Sequence, residues 1–236
     1  FSGYADIAIG ASRVLGINLM QNFQRPYLAV STPEFWGHQR WHMSLSLWFR
    51  DYLYIPMGGS RVSAPRYYFN LMTVFLVSGI WHGANWTFIV WGTLNGLYQV
   101  ITVACGSFVR RLADKLRVPA PLLKLAGLLL TFHLVLVTWV FFRAASINDA
   151  WIILTRVAEV LPRLPGLLSA YAYSGELKLA AVLVGLLILF EALDEKYGLW
   201  QKLQAGWARW VFCYVLIFAL IVLGKWNFQQ FVYMQF

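Results

Sequence analysis

The run Phe75-Leu76-Val77-Ser78-Gly79-Ile80-Trp81-His82-Gly83-Ala84-Asn85-Trp86-Thr87-Phe88-Ile89-Val90-Trp91-Gly92 is apolar enough to lie in a bilayer, yet it carries a histidine near its middle. No lysine, arginine or acid occurs from Tyr67 to Cys105. That length allows two crossings, since one helix needs roughly 20 residues. His82 then sits between them. An ionisable side chain in such a setting is costly and marks function by default. The bland alternative is a histidine that hydrogen-bonds a neighbouring helix. Ser78 lies four residues before His82 and Asn85 three after, so the spacing predicts one shared helix face. Gly79, Gly83 and Gly92 allow close helix approach or a break in the helix.

Composition agrees with a membrane protein. The 236 residues are 60% hydrophobic and 12% charged, against roughly 25% charged in soluble domains. The 12 Trp and 12 Tyr suit bilayer interfaces. The net charge of +9 does not point to nucleic acid, because the basic residues fall between apolar runs. They read as topology determinants and contacts to lipid headgroups. Cys105 and Cys213 lie in or beside apolar runs and imply neither a disulfide nor a metal site. The chain starts at Phe1 with no leader pattern, which reads as a piece of a longer protein.

Around the central run, residues 1 to 20 read as a helix packed inside protein, with Asp6 paired. Residues 33 to 61 hold no apolar run long enough to cross. Trp36, Trp41, Leu45, Trp48, Phe49 and Tyr52 fall at helical spacings, which predicts an amphipathic interfacial or re-entrant helix. Pro56-Met57-Gly58-Gly59-Ser60 reads as a tight turn. Leu122 to Phe142 is the cleanest span, with His133 in it as a packing or cavity residue. Ser146 caps a following amphipathic helix with Asp149 in its first turn. Its apolar side (Ile147, Trp151, Leu154, Val157 and Leu161) is expected to lie along the membrane surface, and Pro162 and Pro165 end it. Leu177 to Leu193 and Trp210 to Gly224 are further spans, which makes about five in all. The aromatic tail from Lys225 is expected to tuck against the bundle. The expected class is all-α: a polytopic transmembrane helix bundle with interfacial or re-entrant helices.

The basic cluster Arg110, Arg111, Lys115, Arg117 and Lys124 is assigned to the cytoplasm. Counting from it puts the Arg61 and Arg66 loop inside and the 143 to 176 loop outside. Arg143, Arg156 and Arg163 in that outer loop oppose this assignment.

Both His42 and His82 follow a tryptophan, in Trp41-His42 and Trp81-His82. At these residues the chain resembles the membrane-bound O-acyltransferases, most closely the bacterial branch that acetylates polysaccharides, typified by the membrane subunit of alginate O-acetylation. The resemblance is carried by Phe1 to Gly10, by Asn22-Phe-Gln-Arg-Pro-Tyr27 and by Phe35-Trp36 through Arg40-Trp-His-Met-Ser-Leu-Ser46. It continues in Trp48 to Arg61 and Gly79 to Gly92. It is dense over residues 1 to 100 and loose afterwards. His38 stands in a spacer that is usually more basic in the family. The resemblance implies that residues 1 to 236 are the C-terminal part of a single membrane domain, with N-terminal spans preceding it. It implies a multi-pass protein of the bacterial inner membrane, with a tunnel between a cytoplasmic acyl donor and an acceptor on the far side. It also implies a periplasmic acetyltransferase partner and a polysaccharide acceptor. The family's buried histidine corresponds to His82, and a second polar residue to His42.

The chemistry fits those residues. Moving an acetyl group from a thioester to a hydroxyl requires a base, and an imidazole neutral at physiological pH can serve. His82 is the expected general base, with His42 assisting. Ser78, Asn85 and the indole N–H of Trp81 or Trp86 are candidate donors to the tetrahedral intermediate. Arg50, Arg61 and Arg66 could meet the phosphates of coenzyme A. Acetyl-CoA is the expected donor, with no bound cofactor or metal. The alternatives are a proton-relaying transporter or flippase subunit and a non-catalytic scaffold of an envelope complex.

Overall fold

Helix starts and stops written in the sequence place most of the elements. A computed structural model describes residues 1–37, 40–163, 166, 175–203 and 206–224. His38, Pro165 and the aromatic tail from Lys225 lie outside the described residues. The chain forms two compact units, Phe1–Pro165 and Gly166–Phe236.

The first unit begins with α1 (Ser2–Val14) and a short 3-10 turn at Pro26–Leu28. Next come α2 (Thr32–Trp36) and α3 (Met43–Phe49), the latter continued by a π turn, Arg50–Tyr54. Three long helices follow: α4 (Ala64–His82), α5 (Trp86–Lys115) and α6 (Ala120–Arg143). Finally α7 (Ile147–Val160) is capped by Ser146, whose Oγ accepts from the Asp149 N–H at 3.1 Å. Pro65 and Pro121 stand in the first turns of α4 and α6, where a missing N–H costs nothing. The second unit holds α8 (Gly175–Tyr197), α9 (Leu199–Leu203) and α10 (Trp207–Leu223). Phe190 and Phe212 stack at 6.2 Å and join α8 to α10.

Only α5 and α6 are long and apolar enough to cross a membrane by themselves among the described residues; α10 is apolar but shorter. The expected five spans therefore reduce to two on this criterion. The reason is local. α4 opens with Arg66, Tyr67 and Tyr68 and carries Asn70, while α8 closes on Glu191, Asp194 and Glu195.

In lipid, helices are held by close packing rather than by a hydrophobic drive. The α4–α5 pair shows how. A Cβ on Gly79 would collide with the Phe88 carbonyl oxygen and lie 3.5 Å from Gly92 Cα. A Cβ on Gly92 would collide with the Phe75 carbonyl oxygen. The two glycines thus let the backbones touch. Below this contact, fully buried Asn70 donates to the Met57 and Gly59 carbonyls at 3.2 and 3.0 Å. It pins the tight turn, where Gly58 and Gly59 have φ of 99° and 57°.

Of the two readings of residues 33 to 61, an interfacial amphipathic helix or a re-entrant element, a continuous helix is not what forms. The helix stops at Gly37, and the next begins only after His42, whose φ is 43°. Trp36 and Trp41 turn inward, and Trp48 and Tyr52 stay exposed. The inner cluster is Ala29, Phe35 and Val135 with Trp36, Trp41 and Trp139 against it. A second cluster, Trp91, Phe141 and Ala150, shares Trp36 and Trp139 with the first. The short α2 docks on α5 through the Trp36 indole, which donates to Asn95 Oδ1 at 3.1 Å, and through Thr32 and Thr102, 3.1 Å apart.

Two further expectations change. On α1 only Ala5 is buried; Asp6 is exposed and has no ion pair among the described residues. His133 is exposed, and its Nδ1 lies 2.7 Å from the Leu129 carbonyl of its own helix. On α7 and the turn after it, Ile147, Trp151, Val157 and Leu161 form an exposed apolar side, and Ala150 makes the core contact beside Leu154.

Candidate active site

Gly83, at φ 148°, ends α4 immediately after His82. Asn85 then caps α5: its Oδ1 accepts from the Thr87 N–H at 3.0 Å. Its Nδ2 donates to the Ala145 carbonyl at 3.0 Å, tying the α4–α5 turn to the α6–α7 turn. The helix break thus puts His82 at the mouth of the turn rather than inside a continuous helix.

Aromatic rings wall the imidazole. Trp81, Trp91 and Phe142 meet it edge-on at 4.9, 5.1 and 4.9 Å, and Phe88 lies at 6.1 Å. His82 is half-buried rather than fully buried. Among the described residues neither ring nitrogen has a hydrogen-bond partner, and neither is sealed from the surface. The neighbouring-helix hydrogen bond of the bland reading is therefore not made within these residues.

His42 approaches the same region from the loop before α3. Trp41 packs on Phe35 at 5.3 Å and on Trp139 at 4.8 Å. Trp139 continues the wall to Trp91 and Phe142 at 6.4 and 5.6 Å. The two Trp-His pairs are thus linked by a chain of rings: Trp41 to Trp139, Trp139 to Trp91, and Trp91 to His82. Burial pushes the His42 imidazole down to about 4, so it is neutral at physiological pH.

His42 pays for its place with a left-handed backbone (φ 43°, ψ 56°), a conformation costing about 1–2 kcal/mol for a residue with a Cβ. Hydrogen bonds from preceding segments hold it there. Met43 N–H donates to the Asn22 carbonyl at 3.2 Å and Ser44 N–H to Asn22 Oδ1 at 2.9 Å. Gln24 N–H donates to the Arg40 carbonyl at 3.0 Å. Arg40 is itself fixed by Glu34 at 2.6 Å and by the Arg25 carbonyl at 2.8 Å. At about 1 kcal/mol net per bond, these offset the backbone strain.

The predicted site residues separate into two groups. His82, Trp81 and buried Ser78, one turn back on α4, are brought together, with His42 across the aromatic wall. Asn85 does not share their helix face, because α4 ends before it and both of its side-chain polar atoms serve the turns. The Trp81 and Trp86 rings are largely exposed, 57% and 74%, while the indole nitrogen of Trp91 is buried with no hydrogen-bond partner among the described residues. Arg50 is exposed and engages Asp51 through two contacts of 2.7 and 3.2 Å, which hold the arginine pKa up and the aspartate pKa down. Arg61 is exposed and has no ion pair among the described residues.

The sequence reading missed Trp91, Asn95 and Trp139. A signal existed for two of them: Thr87, Trp91, Asn95 and Gln99 recur every four residues and form one buried face of α5.

The family model described as MBOAT, membrane-bound O-acyltransferase family, matches residues 1–152. A probable alginate O-acetylase of Pseudomonas aeruginosa is 43% identical over 152 residues, covering 64% of this chain and 27% of that protein. A peptidoglycan O-acetyltransferase of Helicobacter pylori is 43% identical over 150 residues, again covering 64% and 27%. A teichoic acid D-alanyltransferase of Streptococcus thermophilus is 31% identical over 170 residues, covering 64% of this chain and 39% of that protein. The matched segment spans only about a quarter of the length of the first two relatives. The matched residues contain both histidines and the helices that carry them, and the chain belongs to the membrane-bound O-acyltransferase family.

Proposed function

We propose that this chain carries the transfer site of a membrane O-acyltransferase that moves an acetyl or similar short acyl group toward hydroxyls of an exported or cell-wall polysaccharide. The observation that carries it is the unpartnered His82 imidazole in its aromatic box, with Trp41-His42 joined to that box through Trp139. Acetyl-CoA is the proposed cytoplasmic donor. The names of the relatives, a probable alginate O-acetylase, a peptidoglycan O-acetyltransferase and a teichoic acid D-alanyltransferase, support an ester-forming reaction on an envelope polymer. A multi-pass location in the bacterial inner membrane and a periplasmic acetyltransferase partner belong to the same proposal.

In this reading His82 takes the proton of the attacking hydroxyl as the new C–O bond forms. The thioester C–S bond breaks, and the leaving thiolate receives the proton. His42, neutral and held by the 22–24 segment, orients the acceptor or donor. The test is acyl transfer from labelled acetyl-CoA by the full-length protein in membranes. His82→Gln keeps a hydrogen-bonding group but cannot carry the proton. It should lose ~10²–10⁴-fold in rate. His42→Ala should lose less. Normal insertion of His82→Gln with near-native transfer refutes the assignment.

A further inference from the structure

We infer that Asn22 is a positioning residue for His42, capping α3 from a distant segment so that the imidazole is left free for the site. This rests on the assisting role proposed for His42.

His42 occupies the N-cap of α3, and its side chain makes no capping bond. A residue caps its own helix from an extended backbone, which the left-handed His42 lacks. Here the cap comes from Asn22 instead, 22 residues before the amide it binds. Its Oδ1 accepts from Ser44 N–H at 2.9 Å and its carbonyl from Met43 N–H at 3.2 Å. The two amides directly after His42 are thereby held by one residue. The next residue, buried Phe23, lies nearly parallel to the His42 ring at 6.3 Å and meets Trp41 edge-on at 5.0 Å. Gln24 N–H closes the strap on the Arg40 carbonyl at 3.0 Å. Residues 22 to 24 thus grip the chain on both sides of Trp41-His42, and the imidazole lies between Phe23 and Phe1, the latter edge-on at 4.8 Å. The division of labour has a chemical reason. A histidine that capped its own helix would spend its acceptor nitrogen on a backbone N–H.

The experiment measures kcat and KM for acyl transfer by the full-length protein in membranes, with insertion quantified for each variant. Asn22→Ala should lower kcat by roughly ten- to a hundred-fold, the range expected when a reacting group is misplaced by about an ångström. Donor KM should change little. Asn22→Asp keeps the acceptor oxygen and should restore most of the rate. Asn22→Gln keeps polarity but displaces the acceptor, and it should show the same kcat loss if Asn22→Ala inserts poorly. In a His42→Ala background, Asn22→Ala should add no further loss, because both changes remove the same function. A slow His42→Ala enzyme beside wild-type rates for Asn22→Ala and Asn22→Gln overturns this inference alone. Losses that multiply in the double variant also overturn it. A wild-type rate for His42→Ala overturns the role of His42, and the inference with it.

Discussion

Substituting Gly79 by alanine tests whether the α4–α5 contact sets the position of His82. The new Cβ would strike the Phe88 carbonyl oxygen, with the Phe88 carbonyl carbon at 3.2 Å and Gly92 Cα at 3.5 Å. All three are backbone atoms, so no side chain can swing aside. Restoring an ordinary C···O contact of about 3.3–3.6 Å requires the helices to part by roughly 1 Å. Alanine gains about 0.5–1 kcal/mol over glycine in helix propensity. Overpacking costs about 1–3 kcal/mol, so the net effect is destabilising. His82 is three residues on from Gly79, while Trp91 and Phe88 of its box belong to α5. The box therefore opens as the helices separate. A 1 Å displacement at a reacting group costs up to about 10²-fold in rate. Gly10→Ala on α1, where a Cβ meets nothing within 4 Å, is the matched control and should be neutral or stabilising. The assay is thermal unfolding in detergent together with acyl transfer in membranes. If Gly79→Ala matches Gly10→Ala in both, the backbone contact does not govern the site.

Asn85→Ala removes the α5 cap and the tie to Ala145, and should cost about 1–2 kcal/mol of stability with transfer per inserted molecule near wild type. Lost transfer at unchanged melting temperature would return Asn85 to the substrate. The His42 pKa is lowered from 6.5 to about 4 by burial, so between those values the unfolded chain binds a proton that the folded one does not. Stability from this group is therefore complete above about pH 6.5 and falls as the pH drops toward about 4. Urea titrations across that range should show a decline that His42→Gln reduces. An identical decline in the variant would assign it to other groups.

Much of the fold was legible because its causes are local. Gly83 and Asn85 write the end of one helix and the start of the next into a few adjacent residues, and Ser146 with Asp149 does the same for α7. The apolar runs gave α5 and α6 because a bilayer imposes length and polarity on consecutive residues. Membrane class and the two Trp-His pairs could therefore be read from residue order alone, whereas the roles expected of His82 and His42 came with the family resemblance.

Tertiary structure decided everything that depends on which distant segments touch. Helical spacing suggested one amphipathic helix through Trp36 and Tyr52, but a left-handed His42, held by Asn22, splits it in two. Spacing also put Asn85 beside His82, because periodicity continues on paper through a residue whose backbone has left the helix. The choice of Trp91 over Trp81 and Trp86 as the buried indole was signalled only by the four-residue repeat of Thr87, Trp91, Asn95 and Gln99, and which face of α5 the neighbouring helices cover was settled by the fold. Sequence determined which chemistry the chain can present, because side-chain identity and local breaks are properties of neighbours in the chain. Only the fold could link Trp41-His42 to His82 through Trp139 and Trp91, because those contacts join residues far apart in order: the 22–24 strap holds His42, and Gly79 and Gly92 let α4 and α5 touch.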